Sequence, residues 1–147
     1  MTYLQFKQTC KDWLIEFGNY SEPAVELLAM ICAHESLGGK FRRQMGNGPA
    51  RSIYQVERIA HDDVWDRHRS IHTNAIKVGI KRDWGQMEQS DRYATFVARH
   101  IIALDPKPIP TDPKQMAEWC KRNWNKGGKA TPEKYLNDYN SWVTGKI

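Results

Sequence analysis

The stretch that decides the fold is Ser21–Gly39, SEPAVELLAMICAHESLGG. Its serine is a typical helix N-cap, and Pro23 falls in the first turn, where a missing N–H costs nothing. A pair of glycines predicts the end of the helix. Apolar residues recur between these signals at spacings of three and four, namely Ala24, Leu27, Leu28, Ile31 and Cys32. This spacing predicts a helix with one apolar face, and Glu35 is the next position on that face.

Glu35 is the residue of this helix that can carry acid chemistry. A carboxyl at the C-terminal end of an apolar stripe is desolvated and lies near the partial negative charge of the helix end, and both effects raise its pKa. A glutamic acid that stays protonated near neutral pH can donate a proton to a glycosidic oxygen. The local pattern taken alone fits a frayed helix end, with Glu35 in solvent, better than it fits this acid.

The rest of the chain carries further helical patterns separated by turn signals. Residues 40–50 are rich in turn-forming residues and predict a loop, and Ser52–Val56 predicts a short extended segment of a small hairpin. We therefore predict a single domain over residues 1–147, mainly α, with at most a small β-hairpin. The predicted helices cover residues 2–17 and 58–78, the latter in two pieces, and three more begin at Ser90, Thr111 and Thr131.

The composition is that of an ordinary folded chain with a basic charge balance. Lys and Arg number 22 against 17 Asp and Glu, which gives a formal charge of +5 and favours polyanionic partners such as nucleic acid, an anionic membrane or a bacterial wall. No apolar run approaches the roughly 18 residues of a membrane-spanning helix. Met1–Asp12 lacks the apolar centre of a secretory signal. We therefore expect no membrane insertion and synthesis in the cytoplasm.

The three cysteines, Cys10, Cys32 and Cys120, lie far apart and have no zinc-binding spacing. We expect free, buried thiols, no metal and no cofactor. The histidines form no compact ligand pattern either. His34 points about a quarter-turn away from Glu35 on a helix, so the sequence gives it no part in a dyad.

Three blocks in the same order and at similar spacing give the chain a family resemblance. They are His34-Glu35-Ser36, then Ser52-Ile53-Tyr54-Gln55-Val56-Glu57, then Asn123-Trp124-Asn125-Lys126-Gly127 with Thr131–Tyr135. Together they resemble goose-type lysozymes and the soluble lytic transglycosylases. In those families a Glu-Ser pair ends a helix, and a loop leads to a Gly-Leu-Met-Gln segment that lines the sugar cleft. Gln55 follows Glu35 by 20 residues, which suits that arrangement.

The resemblance implies a lysozyme-like fold, a helical bundle around a substrate cleft, and cleavage of bacterial peptidoglycan. Glu35 would be the general acid, and Ser36 and Gln55 would position it or the N-acetyl sugar. The residues implied to line the cleft are Trp124, Asn125 and Tyr135. The setting is similar to that of a bacteriophage endolysin or virion-associated enzyme, made in the host cytoplasm and acting on the wall after release, and a bacterial autolysin is the alternative. We expect a monomer, because the sequence has no coiled-coil or edge-strand signal.

The second catalytic group is less clear from the sequence. No Asp or Glu lies between Glu35 and Gln55, so a retaining glycosidase's nearby nucleophile is missing from that segment. Glu57 stands where goose-type lysozymes have Asp, and it could hold a water for an inverting hydrolase. In a lytic transglycosylase the 6-hydroxyl of the substrate would attack instead. Both routes, and a solvated Glu57 without a role, stay open.

Two departures from the family pattern keep other functions open. Ser52-Ile53-Tyr54 replaces Gly-Leu-Met, and Trp124 stands where the family usually has Tyr. An inactive lysozyme-like scaffold is therefore one alternative. The other is a basic, helical nucleic-acid-binding module, because Lys and Arg are scattered among aromatic residues. The basic residues do not fall on one helix face, so we expect no nucleic-acid partner.

Overall fold

The computed structural model describes all 147 residues and contains eight α-helices, which confirms the predicted mainly α class. The helices are α1 Tyr3–Phe17, α2 Glu22–Ser36, α3 Arg58–Arg67, α4 Arg69–Val78, α5 Gln86–Gln89, α6 Asp91–Ile102, α7 Pro113–Asn123 and α8 Pro132–Val143. The region from 58 to 78 forms two helices, as predicted. The sequence did not predict α5, which is a single turn.

Helix α2 forms the centre of the hydrophobic core. Every residue from Leu27 to Ala33 is buried, so the helix is covered on all sides and not only on the predicted stripe. Helices α1, α6, α7 and α8 pack against it. Fully burying one aliphatic side chain stabilises the fold by about 1.5–3 kcal/mol, so this one helix contributes a large part of the core.

The ends of α2 are fixed by local hydrogen bonds and by a close contact. Ser21 accepts a hydrogen bond from the N–H of Ala24 at 3.2 Å, as expected of an N-cap. The chain leaves the helix through Leu37, whose φ of 51° is left-handed. Gly38 has a φ of 75°, and a Cβ there would lie 2.6 Å from the indole nitrogen of Trp142. Only glycine fits this exit.

The predicted extended segment at Ser52–Val56 is wrong. Ser52 and Gln55 have φ values of 79° and 50°, and the segment forms a tight turn. Isolated bridges join Arg51 to Arg43 and to Val56, and no β-strand is present. The side chain of Ser52 accepts a hydrogen bond from the N–H of Tyr54 at 3.1 Å, and such local bonds compete with extended structure.

All three cysteines are free thiols and fully buried. Burial raises the pKa of each thiol, because the thiolate is poorly solvated in the core. No helix of the protein is both long enough and apolar enough to cross a lipid bilayer.

His100 on α6 is held as a neutral ring inside the fold. Its Nδ1 donates to the carbonyl of Phe96 at 2.8 Å, and its Nε2 accepts from the side-chain amide of Asn74 at 2.9 Å. An imidazolium would have a second N–H and could not accept that second bond. Burial lowers the pKa of His100 from 6.5 to about 4.

We expect this ring to make the fold acid-sensitive. Between pH 6.5 and pH 4, His100 is protonated in the unfolded chain but stays neutral in the folded protein. Protons therefore favour the unfolded chain in this range, and the free energy of unfolding falls as the pH drops from 6.5 towards 4. The loss amounts to about 3 kcal/mol of unfolding free energy. Urea unfolding at pH 7 and pH 4.5 should show a smaller difference for His100→Gln than for the wild type. The exposed-site control His72→Gln should behave like the wild type. Equal pH dependence in all three proteins would contradict the assignment.

Candidate active site

A polar cavity of about 400 Å³ opens at the C-terminal end of α2. Its walls are the end of α2, the turn before α3 and the loop that follows α7. It brings together five of the residues that the sequence analysis singled out, Glu35, Gln55, Glu57, Trp124 and Asn125. Gln44 and Lys126 also line it, and the sequence analysis had given neither of them a role.

Glu35 lies in the last turn of α2 with its side chain partly buried, and the helix end is not frayed. Burial raises the pKa of its carboxyl, and a hydrogen bond from Tyr135 together with the charge of His34 lowers it by less. The net shift of the pKa is upward, as the sequence analysis expected. The hydroxyl of Tyr135 donates to Oε1 at 2.8 Å. Since Oε1 accepts this bond, the proton of the neutral acid belongs on Oε2.

Tyr135 itself does not line the cavity, contrary to the expectation from the family resemblance. It is fully buried in the first turn of α8 and contacts the Glu35 carboxyl from the side of the core. The ring of Tyr135 packs on the ring of His34, with 4.0 Å between their centroids. Tyr135 therefore holds the Glu35 carboxyl in position and influences its pKa from the side of the core.

Ser36 also lies outside the cavity, so the expected contact between Ser36 and the sugar is corrected. Its side chain is fully buried, and its hydroxyl donates to the carbonyl of Ile53 at 2.7 Å and accepts from the N–H of Gly39 at 3.0 Å. These bonds connect the end of α2 to the turn that carries Gln55. Ser36 thus positions the cavity wall without touching a ligand.

The cavity wall opposite Glu35 is fixed by two further hydrogen bonds. The side-chain amide of Gln55 donates to the carbonyl of Ser52 at 2.8 Å, which leaves its own carbonyl oxygen without a partner. The indole N–H of Trp124 donates to the carbonyl of Tyr54 at 3.1 Å. Gln55 and Trp124, which we expected to line a cleft, both lie on the wall of this cavity, and Gln55 belongs to a turn and not to an extended segment.

The loop after α7 presents the amide of Asn125. Its Oδ1 is buried and has no hydrogen-bond partner, which is uncommon for a buried polar atom. Lys121 donates to the backbone carbonyls of Asn125 and Gly128 at 3.2 and 2.7 Å. A Cβ at Gly128 would lie 2.1 Å from Asn125 Oδ1, so only glycine leaves this amide in place.

A charged cluster behind Tyr135 was missed in the sequence. The Nδ1 atom of His34 lies 2.8 Å from one oxygen of Asp138, and Lys134 lies 2.8 Å from the other. His34 had been given no role, and 104 residues separate it from Asp138. Only the Lys134–Asp138 pair, four residues apart on one helix, had a local signal. The cluster holds the His34 ring against Tyr135.

No group of three or more His, Cys, Asp or Glu side chains is arranged to hold a metal ion. Comparisons with protein-family models, with curated proteins and with solved structures gave no match to this chain.

The effect of the hydrogen bond from Tyr135 on Glu35 can be tested directly. The bond favours the charged form of the carboxyl, so Tyr135→Phe should raise the pKa of Glu35 further. The pKa can be followed through the ¹³C shift of the Glu35 side-chain carboxyl during a pH titration. Tyr139→Phe is a matched control, because Tyr139 lies on the same helix and donates to Glu26 at 2.7 Å instead. A lower or unchanged pKa in Tyr135→Phe would show that this bond does not act on Glu35.

Proposed function

We propose that this protein cleaves the β-1,4 bond between N-acetylmuramic acid and N-acetylglucosamine in bacterial peptidoglycan, with Glu35 as the general acid. The observation that carries the proposal is the Glu35 carboxyl, partly buried, with a raised pKa, and facing a polar cavity. Protonation of a glycosidic oxygen needs a carboxylic acid that is still protonated near neutral pH. The resemblance of the three sequence blocks to goose-type lysozymes and lytic transglycosylases supports the same reaction.

In this mechanism Glu35 Oε2 gives its proton to the glycosidic oxygen while the C1–O bond breaks. The negative charge left on the carboxylate is stabilised by the Tyr135 hydroxyl, which already donates to Oε1. A protonated His34 ring also favours the charged form. Before the reaction, desolvation keeps the Glu35 carboxyl protonated. After the proton has left, the Tyr135 hydroxyl is already in place to stabilise the carboxylate.

The cavity also offers the groups that a sugar needs. Sugars bind through hydrogen bonds from hydroxyl and N-acetyl groups and through their apolar faces on aromatic rings. The carbonyl oxygen of Gln55 has no protein partner and can accept a hydrogen bond from the substrate. The Oδ1 atom of Asn125 is buried as well as unpartnered, so it can accept such a bond only after its side chain turns towards the cavity. The Trp124 indole, held by its bond to Tyr54, supplies the aromatic surface.

Glu57 is the proposed second carboxylate, acting on a water molecule. It is exposed at the N-terminus of α3, lines the same cavity as Glu35, and makes no side-chain hydrogen bond to cap its helix. It forms no ion pair, so both oxygens can hold a water. An inverting glycosidase places such a water between two carboxyl groups about 6.5–9.5 Å apart.

Most of the arginines of the protein are not free to contact nucleic-acid phosphates. A nucleic-acid interface needs a group of free Lys and Arg side chains for the phosphates. Most arginines here are neutralised in ion pairs: Arg42, Arg43, Arg51, Arg58, Arg67, Arg82 and Arg92 each bind a carboxylate. The remaining net positive charge still attracts an anionic wall. We propose wall lysis as the setting, as for an endolysin or a virion-associated enzyme.

The first test uses Glu35→Gln, which keeps the shape of the side chain but cannot donate the proton. We expect the wild type to clear a suspension of purified peptidoglycan and the variant to lose about 10²–10⁴-fold in rate. Glu118→Gln, at an exposed position of α7, is the matched control and should clear at the wild-type rate. Equal clearing by wild type and Glu35→Gln would remove Glu35 from the mechanism. A wild type that clears no peptidoglycan would refute the proposed function.

A second test separates the two routes of cleavage. If Glu57 activates water, Glu57→Gln should lose about 10²-fold or more in rate, and the wild-type fragments should carry hydrated reducing ends in mass spectrometry. Undiminished cleavage by Glu57→Gln, with 1,6-anhydro ends in the products, would exclude Glu57 as base. The substrate's own 6-hydroxyl would then be the nucleophile, and Glu35 alone would serve as acid and base.

A further inference from the structure

The cavity at Glu35 is the first of three adjacent cavities, which we together call the groove. It shares Gln55, Glu57 and Trp124 with a second cavity of about 130 Å³. The second cavity shares Ile101 and Asn123 with a third one of about 450 Å³. The shared lining residues place the three cavities side by side, so the third cavity is adjacent to the path of a chain-like ligand seated at Glu35. We call this third cavity the distal pocket.

The distal pocket lies between the loop after α6 and the outer face of α7. Its accessible apolar surface comes from Ile101 and Leu104, with the nearly buried Trp119 beneath them, and its charged groups are Asp105, Lys107 and Arg122. Asp105 is already engaged: the indole N–H of Trp119 donates to Oδ2 at 2.9 Å, and the backbone N–H of Lys107 donates to Oδ1 at 3.0 Å. These bonds lower the pKa of Asp105, so it is a carboxylate with both oxygens in use.

Lys107 and Arg122 are the free charges of the pocket. Both are exposed, and neither side chain forms an ion pair or a hydrogen bond within the protein. Arg122 differs in this respect from the ion-paired arginines named above. Two unneutralised cations beside one engaged carboxylate leave the pocket with net positive charge. A guanidinium offers paired N–H donors that match the two oxygens of a carboxylate.

We propose that the distal pocket binds a carboxylate of the peptide stems of peptidoglycan, so that the protein selects glycan that carries peptides. Lys107 and Arg122 contact the carboxylate, and the half-buried side chains of Ile101 and Leu104 take the aliphatic part of the peptide. This inference rests on the proposed function, because it assumes that the glycan occupies the groove at Glu35. It adds a specificity site that lies away from the bond being cleaved.

The test measures binding without cleavage, in the Glu35→Gln background. Soluble glycan strands that carry peptides are compared by calorimetric titration with the same strands after an amidase has removed the peptides. We expect roughly tenfold tighter binding of the peptide-bearing strands, the size of effect that one good charged contact supplies. Adding Lys107→Ala and Arg122→Ala should abolish this preference. Adding Lys114→Ala and Lys129→Ala, at exposed positions outside the distal pocket, removes the same charge and should keep the preference.

The outcomes separate this inference from the proposed function. Equal affinity of Glu35→Gln for both kinds of strand would overturn the inference, and so would a preference that survives the loss of Lys107 and Arg122. A preference lost equally in the control variant would also overturn it, since net charge and not the pocket would then be responsible. None of these results affects the clearing of peptidoglycan by the wild type, which tests the proposed function by itself.

Discussion

The burial of α2 on every side is the constraint on which the rest of the structure depends. Helices α1, α6, α7 and α8 pack against it, and the unbroken burial from Leu27 to Ala33 ends at the last turn of the helix. Glu35 lies at that point, where one side of its carboxyl meets the core and the other meets the cavity. Its desolvation is therefore a consequence of core packing, and the same packing that stabilises the fold raises the pKa of the acid.

The site is assembled by single hydrogen bonds between segments that are distant in sequence. Ser36 holds the turn before α3 through Ile53, and Trp124 holds it through the Tyr54 carbonyl. Tyr135 brings α8 to the Glu35 carboxyl. In each of these bonds, one partner is a backbone carbonyl or a buried side chain. The groups that face the cavity are therefore positioned by the fold and not by contacts with one another. Such a site can be complete before a ligand arrives.

The parts of the structure that follow local rules could be predicted from the sequence. The caps and apolar spacing of α1, α2, α6 and α8 are local, and so is the position of Glu35 on its stripe. The turn containing Gln55 was predicted wrongly, because its conformation depends on a hydrogen bond that Ser52 accepts from Tyr54 and on one that Ser36, on another element, donates to Ile53. The His34–Asp138 pair and the groove towards Arg122 join residues far apart in the chain, and no sequence spacing encodes them.

The three cysteines have a practical consequence. Each thiol is buried in the core, where oxidants and alkylating reagents do not reach it. Its raised pKa also keeps it protonated, so the reactive thiolate is scarce. The native protein is in effect inert towards such reagents even though it contains no disulfide. Cys10, Cys32 and Cys120 belong to three different helices around one core. The rate at which a thiol reagent labels all three would therefore report the rate at which the whole chain unfolds.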